Sequence, residues 1–91
     1  MDKKERFDRI MVNKGLLEAK AELNQGNLFR AILMVVNGSH IRAVEFINGD
    51  KVIADFMEYI VAKNYDGAAD YLNHIVSESK KEMKNDNKST D

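Results

Sequence analysis

The segment from Asp50 to Glu82 carries two amphipathic helix patterns joined at Lys63–Asp66, and it constrains the fold more than any other part of the chain. Its apolar residues recur at three- and four-residue steps, which places them on one helical face, whereas a strand would alternate at every second residue. A connection this short makes the two helices antiparallel, with their apolar stripes buried together. The pattern therefore predicts an α-hairpin, with Asp50 and Asp66 as the N-caps of its helices.

A further helix is predicted at the N-terminus of the chain. Asp2 and Glu5 have the spacing of a capping box that would start a helix at Lys3. Gly15 costs about 1 kcal/mol relative to alanine inside a helix, so a bend or restart is expected there. Gly26 can adopt the left-handed conformation that follows a last helical turn, and it predicts the end of the helix.

The segment from Leu28 to Ile47 allows two interpretations. Residues 31–36 are apolar all round, so periodicity does not separate a buried helix from a buried strand. The Asn-Gly pairs at 37–38 and 48–49 are typical both of helix ends and of hairpin turns. Ser39 and Asp50 follow these glycines where the N-caps of new helices belong, which favours helices. The alternative is an α+β fold with a β-hairpin at about 30–47.

An internal similarity also favours helices. Residues 23–32 can be aligned with residues 60–69 at an offset of 37, which matches Asn27 with Asn64 and Ala31 with Ala68. Both segments resemble the turn of tetratricopeptide helical hairpins, where a small alanine near the crossing lets two helices approach closely. The match covers these two turns only, so it implies two similar α-hairpins rather than membership of that family.

Together these patterns predict an all-α fold, a small bundle of four or five helices built on two antiparallel α-hairpins. Residues 1–83 would form a single helical domain. Residues 84–91 have no apolar anchor and are expected to be a disordered tail.

Composition excludes several classes of function. The chain has no cysteine, which removes disulfides, thiol catalysis and cysteine-ligated zinc. No apolar run reaches the roughly 18 residues of a membrane span, and no apolar signal-peptide core follows Met1, so we expect a cytoplasmic protein that does not bind membranes. Ten lysines against four arginines, with nine asparagines, are associated with AT-rich genomes and suggest a bacterial or phage origin.

The residues with the strongest metal-binding pattern are Asp70, His74 and Glu78, which lie one turn apart on one stripe of the last predicted helix. A carboxylate and an imidazole at this spacing can converge on a divalent ion. A polar stripe opposite an apolar one is more often a solvated face. We therefore expect neither a metal nor a cofactor, and, since no nucleophile–base pair can be assembled from two distant histidines, no enzyme.

Nucleic-acid binding is the second functional hypothesis. The first predicted helix is rich in basic residues, which are interspersed with Asp2, Glu5 and Asp8; they are Lys3, Lys4, Arg6, Arg9 and Lys14. Mixed charges and a net charge of −1 argue against a phosphate-binding surface. The leading hypothesis is therefore a non-enzymatic protein–protein interaction module, such as a regulator, adaptor or inhibitor of bacterial or phage type, with an unidentified protein partner.

Self-association as a two-fold dimer is also expected. Six consecutive apolar residues from Ala31 to Val36 leave no polar side to face water, and single-stripe neighbours would not cover them completely. The remaining apolar surface would come from this segment or from the stripe of the first helix. The residues predicted for the contact are Leu28, Phe29, Ile32, Leu33, Val35 and Val36.

Overall fold

The computed structural model describes the backbone of residues 2–41 and 48–90, and the side chains of 2–38 and 48–85. These residues form four α-helices, which are α1 (Lys3–Asn24), α2 (Leu28–Ile41), α3 (Gly49–Val61) and α4 (Tyr65–Thr90). The prediction of an all-α bundle built on two α-hairpins is confirmed. The β-hairpin alternative is wrong over the described residues, since α2 occupies its first strand; residues 42–47 of its second strand lie outside the description.

The helix starts follow from capping. Asp2 caps α1 as predicted, because its Oδ1 accepts from the backbone N–H of Glu5 at 2.7 Å. The predicted caps Asp50 and Asp66 are wrong by two residues. Asn48 caps α3 by accepting from Lys51 N–H, and Asn64 accepts from Gly67 N–H at the start of α4. An asparagine oxygen satisfies a first-turn N–H as well as an aspartate does, so each helix starts at the earlier cap.

Two predicted interruptions are absent from the described backbone. The helix α1 continues through Gly15, and α2 continues through Gly38 and Ser39 to Ile41, so Ser39 is not an N-cap. A single glycine costs about 1 kcal/mol in a helix, and the packing of both helices against the core outweighs that cost.

The described backbone of α4 extends beyond Met83, the last residue of the predicted helical domain. The helix continues to Thr90, seven residues further along the chain. The disordered tail expected over residues 84–91 stays a prediction. Residues 84–90 contain neither proline nor glycine, so nothing in their sequence forces the helix to stop.

The helices pack in a ring in which α1 and α3 each contact both α2 and α4. Arg6 and Arg9 of α1 contact Met83 and Glu82 of α4, which shows that these two helices are antiparallel. Phe56, Leu16 and Leu72 are fully buried at the centre. The core cluster comprises Val12, Leu16, Ala19, Leu23, Ala31, Val35, Val52, Phe56, Ile60, Ala68, Ala69, Leu72 and Val76.

The two hairpin turns have the same geometry. In the first, Asn27 N–H donates to Glu22 O, and Gly26 has a φ of 83°. In the second, Asn64 N–H donates to Tyr59 O, and Lys63 has a φ of 58°. Each is a Schellman helix end, and each equivalent pair of residues is separated by the offset of 37. The following alanines, Ala31 and Ala68, are both fully buried, as expected where two helices approach closely.

Exchanging the residues at these two turns should change stability in opposite directions. Lys63→Gly is expected to raise the free energy of unfolding by about 0.5–1 kcal/mol, because a lysine Cβ strains the left-handed conformation. Gly26→Lys should lower it by a similar amount, and through conformation alone, since a Cβ at Gly26 would meet no atom within 4 Å. Urea denaturation measures both variants, and a Lys63→Gly protein less stable than the wild type would contradict the expectation.

Candidate functional site

A groove runs along the outer seam between α1 and α4, with a volume of about 450 Å³. Ile10 is 49% exposed and Leu17 is 37% exposed, although both are large apolar side chains. Met83 contributes apolar surface from α4. We call this feature the α1–α4 groove and define it by its lining residues, Ile10, Asn13, Lys14, Leu17, Glu18, Ala21, Lys80 and Met83.

Asn13 is the unusual member of the groove lining. It is only 5% exposed, and neither Oδ1 nor Nδ2 has a hydrogen-bond partner within the described part of the chain. Leaving a buried carboxamide unsatisfied costs about 1–3 kcal/mol. Natural proteins contain few such groups, and those they retain often have a role in function.

The helix pattern explains why Asn13 is buried. It lies between Arg9 and Leu16 on the inner side of α1, four and three residues away, and both of these neighbours are buried as well. The outer residues Ile10 and Leu17 belong to a second stripe with the same spacing. The helix α1 therefore has two apolar stripes, of which one enters the core and the other lines the groove.

One ion pair and one hydrogen bond fix α1 against α4 beside Asn13. The Arg9 guanidinium is buried and donates to Glu82 Oε2 of α4 at 2.5 Å. It also lies 3.9 Å from Glu5 Oε1 of α1. Arg6 donates to the backbone oxygen of Met83 at 3.2 Å. These contacts hold both walls of the groove in place.

The basic residues predicted for nucleic-acid binding are therefore not brought together on one surface. Arg6 and Arg9 face α4, and Lys4 pairs with Asp8 at 3.2 Å. Lys3 and Lys14 remain exposed.

The residues predicted for self-association lie on several sides of α2. Val35 is buried in the monomer core, and Leu28, Ile32 and Val36 are partly buried. Phe29 is 74% exposed and Leu33 is 45% exposed. Of the predicted set, these two residues offer the most surface to another chain.

The predicted metal residues Asp70, His74 and Glu78 lie on the exposed side of α4, and Glu78 is paired with Lys81 at 3.4 Å. Within the described residues, no three histidine, aspartate or glutamate side chains are grouped so that they could hold a metal ion. The helices of the same part of the chain also lack the length and apolar character needed to cross a membrane.

A second polar cluster joins α3 to α4. Asp55 Oδ2 accepts from Lys51 Nζ at 2.6 Å and from the Tyr71 hydroxyl at 3.1 Å. The Tyr59 and Tyr71 rings lie 5.8 Å apart beside a pocket of about 430 Å³. Burial, and then the hydrogen bond to Asp55, raise the pKa of Tyr71, while the Lys51 hydrogen bond lowers the pKa of Asp55. Tyr71 therefore stays protonated at neutral pH and links the helices as a hydrogen-bond donor.

This cluster should make stability depend on pH in alkali. The pKa of Tyr71 is raised above its ordinary value of 10.0 in the folded state, so its contribution is complete below pH 10.0 and is lost as pH rises further. Tyr71→Phe should lower the free energy of unfolding near neutral pH by about 0.5–1.5 kcal/mol and flatten the alkaline decline.

Urea denaturation across alkaline pH tests this expectation, with Tyr65→Phe as the matched control because Tyr65 is 41% exposed. If Tyr71→Phe and Tyr65→Phe follow the same pH curve, the link between Tyr71 and Asp55 does not contribute to stability.

Comparisons of the chain with protein-family models, with curated proteins and with solved structures found no match in any of the three.

Proposed function

We propose that this protein is a small, cytoplasmic, non-enzymatic protein–protein interaction module of the regulator, adaptor or inhibitor type. Its binding surface is the α1–α4 groove, which receives the apolar face of a helix. The observation that carries the proposal is the unsatisfied, buried Asn13 amide in the lining of an otherwise mainly apolar groove.

The groove supplies both components of a protein interface. Ile10 and Leu17 offer exposed apolar surface, and Met83, which is 9% exposed, lines the groove between them and α4. Removing apolar surface from water is the main driving force of association. Lys14, Glu18 and Lys80 provide a charged rim, which gives orientation and specificity more than affinity. A groove between two helices accepts a third helix through its residues at three- and four-residue spacing.

The unsatisfied amide of Asn13 links the stability of the free monomer to the affinity for a partner. A side chain that costs the free monomer stability persists where it contributes to function. Side-chain rotamers at interfaces commonly change on binding, and a changed Asn13 rotamer can take hydrogen bonds from a partner. The partner thereby removes the cost of the unsatisfied amide and gains affinity from it.

Nucleic-acid binding receives less support from the geometry. Arg6 and Arg9 are engaged with α4, and Lys4 is paired with Asp8, which dilutes the basic surface of α1. A nucleic-acid-binding protein would lose affinity steeply as salt rises. Retention on DNA at increasing salt therefore separates the two hypotheses.

The proposal is tested by capturing partners from an extract of the source organism with the wild-type protein and with Leu17→Glu. A buried glutamate in the apolar groove should reduce capture at least tenfold. Val61→Glu is the matched control, because Val61 is an apolar side chain that is 77% exposed outside the groove. Circular dichroism establishes that both variants remain helical.

A partner that is lost with Leu17→Glu and retained with Val61→Glu would support the proposed function. Equal capture by both variants would contradict it. Capture that disappears with nuclease treatment would point to the nucleic-acid hypothesis.

A further inference from the structure

We propose that the helix received by the α1–α4 groove is α1 of a second copy of this chain, in an antiparallel two-fold dimer. This inference rests on the proposed function, because it names the partner of the same groove. Three features of the groove argue for it, which are the spacing of its stripe, the place of that stripe in the fold and the complementarity of its polar groups.

The exposed stripe of α1 has the spacing of a helix–helix seam. Ile10, Lys14, Leu17 and Ala21 follow one another at steps of four, three and four residues. This alternation is the a/d pattern by which one helix packs along another. The small side chain of Ala21 at one end allows close approach, and the Lys14 stem can cover apolar surface while its ammonium group stays in water.

The stripe and the groove are parts of the same element. The helix α1 carries the protruding side chains Ile10 and Leu17, and it is also one wall of the groove. A two-fold rotation therefore inserts the α1 stripe of each copy into the groove of the other, and both surfaces are buried in one contact. Such self-complementary contacts close after two subunits and are the commonest arrangement of homo-oligomers.

The charges of Lys14 and Glu18 favour an antiparallel orientation of the two α1 helices. Lys14 and Glu18 lie one turn apart, and neither forms an ion pair within the described part of the chain. A parallel arrangement of two α1 helices in register would place like charges side by side. An antiparallel arrangement brings Lys14 of one copy towards Glu18 of the other, and does so twice.

The second copy also offers hydrogen-bond partners for Asn13. A carboxamide has two N–H donors and one oxygen acceptor. The groove of the other copy presents groups of both kinds, since Glu18 accepts, and Lys14 and Lys80 donate.

Light scattering across a range of concentrations is the first test. The wild-type protein should have twice the monomer mass of 10.4 kDa. Leu17→Glu should weaken dimerisation on the order of 100-fold, as expected for a central interface residue. Leu33→Glu is the matched control, since Leu33 is an exposed leucine on α2. Circular dichroism of each variant shows whether the monomer is still folded.

Charge reversal tests the orientation without placing a charge in an apolar contact. Lys14→Glu and Glu18→Lys should each weaken the dimer, and the double variant should restore it, because the antiparallel pairs are then re-formed with their signs exchanged. Failure of the double variant to restore the dimer would overturn the antiparallel arrangement.

Two results would overturn the dimer through the groove. One is a monomeric wild-type protein at every concentration tested, and the other is a dimer dissociated by Leu33→Glu and not by Leu17→Glu. A monomer that captures another protein through Leu17 would overturn this inference and leave the proposed function standing, whereas a monomer that captures nothing would overturn both.

Discussion

Phe56→Ala is expected to lower the free energy of unfolding by about 3–5 kcal/mol, the largest effect of any single truncation in this bundle. Phe56 is 1% exposed and lies in the core cluster. Removing its ring forfeits apolar burial and leaves a cavity that the surrounding helices fill only in part. A domain of this size has roughly 5–14 kcal/mol of stability in total, so the variant should be close to the limit of folding.

Phe29→Ala is the matched control for this prediction, because it makes the same chemical change at a side chain that is 74% exposed. Its effect on the monomer should stay within about 0.5 kcal/mol. Urea denaturation of both variants measures the difference. Equal losses at Phe56 and Phe29 would show that α3 does not place Phe56 in the core.

Asn13→Leu is expected to raise the free energy of unfolding of the monomer by about 1–3 kcal/mol. Leucine has nearly the same shape, and it replaces two buried polar atoms that lack hydrogen-bond partners. Most core substitutions destabilise, so a gain at this position is an unusual expectation. The same variant should bind less well at the groove, because it no longer offers a donor and an acceptor.

Asn73→Leu is the control, since Asn73 is exposed on α4 and the change in helix propensity is the same. Both variants should be compared by urea denaturation at concentrations where the chain is monomeric. A loss of stability in Asn13→Leu would mean that the Asn13 amide is satisfied in solution, and the argument for its role in binding would fail.

The hairpins could be predicted from the sequence because their signals are local. The apolar positions Val52, Phe56 and Ile60 and the repeated turn at offset 37 depend on spacing and on a few turn residues. The errors at the caps have the same origin, since Asn48 and Asp50 are both good N-caps and local sequence does not decide between them. The segment 31–36 allows both a helix and a strand, because a continuous apolar run has neither the helical nor the strand period.

The groove could not be predicted, since it depends on how the helices are arranged around α1. Ile10 and Leu16 both fit a helical apolar pattern, and only the packing shows that Leu16 is buried while Ile10 is exposed. One signal was present in the sequence. Asn13 lies between Arg9 and Leu16 at core spacing, and a polar residue in that phase marks either a satisfied network or a functional site. Deciding between these requires the hydrogen-bond partners, which only the structure gives.

Dimerisation through the α1–α4 groove is tested most directly by isotope-filtered NMR on a mixture of labelled and unlabelled chains, which detects contacts between copies. We predict intermolecular contacts from the methyl groups of Ile10, Leu17 and Met83. Intermolecular contacts that involve Leu33 and leave Ile10, Leu17 and Met83 without any would contradict it.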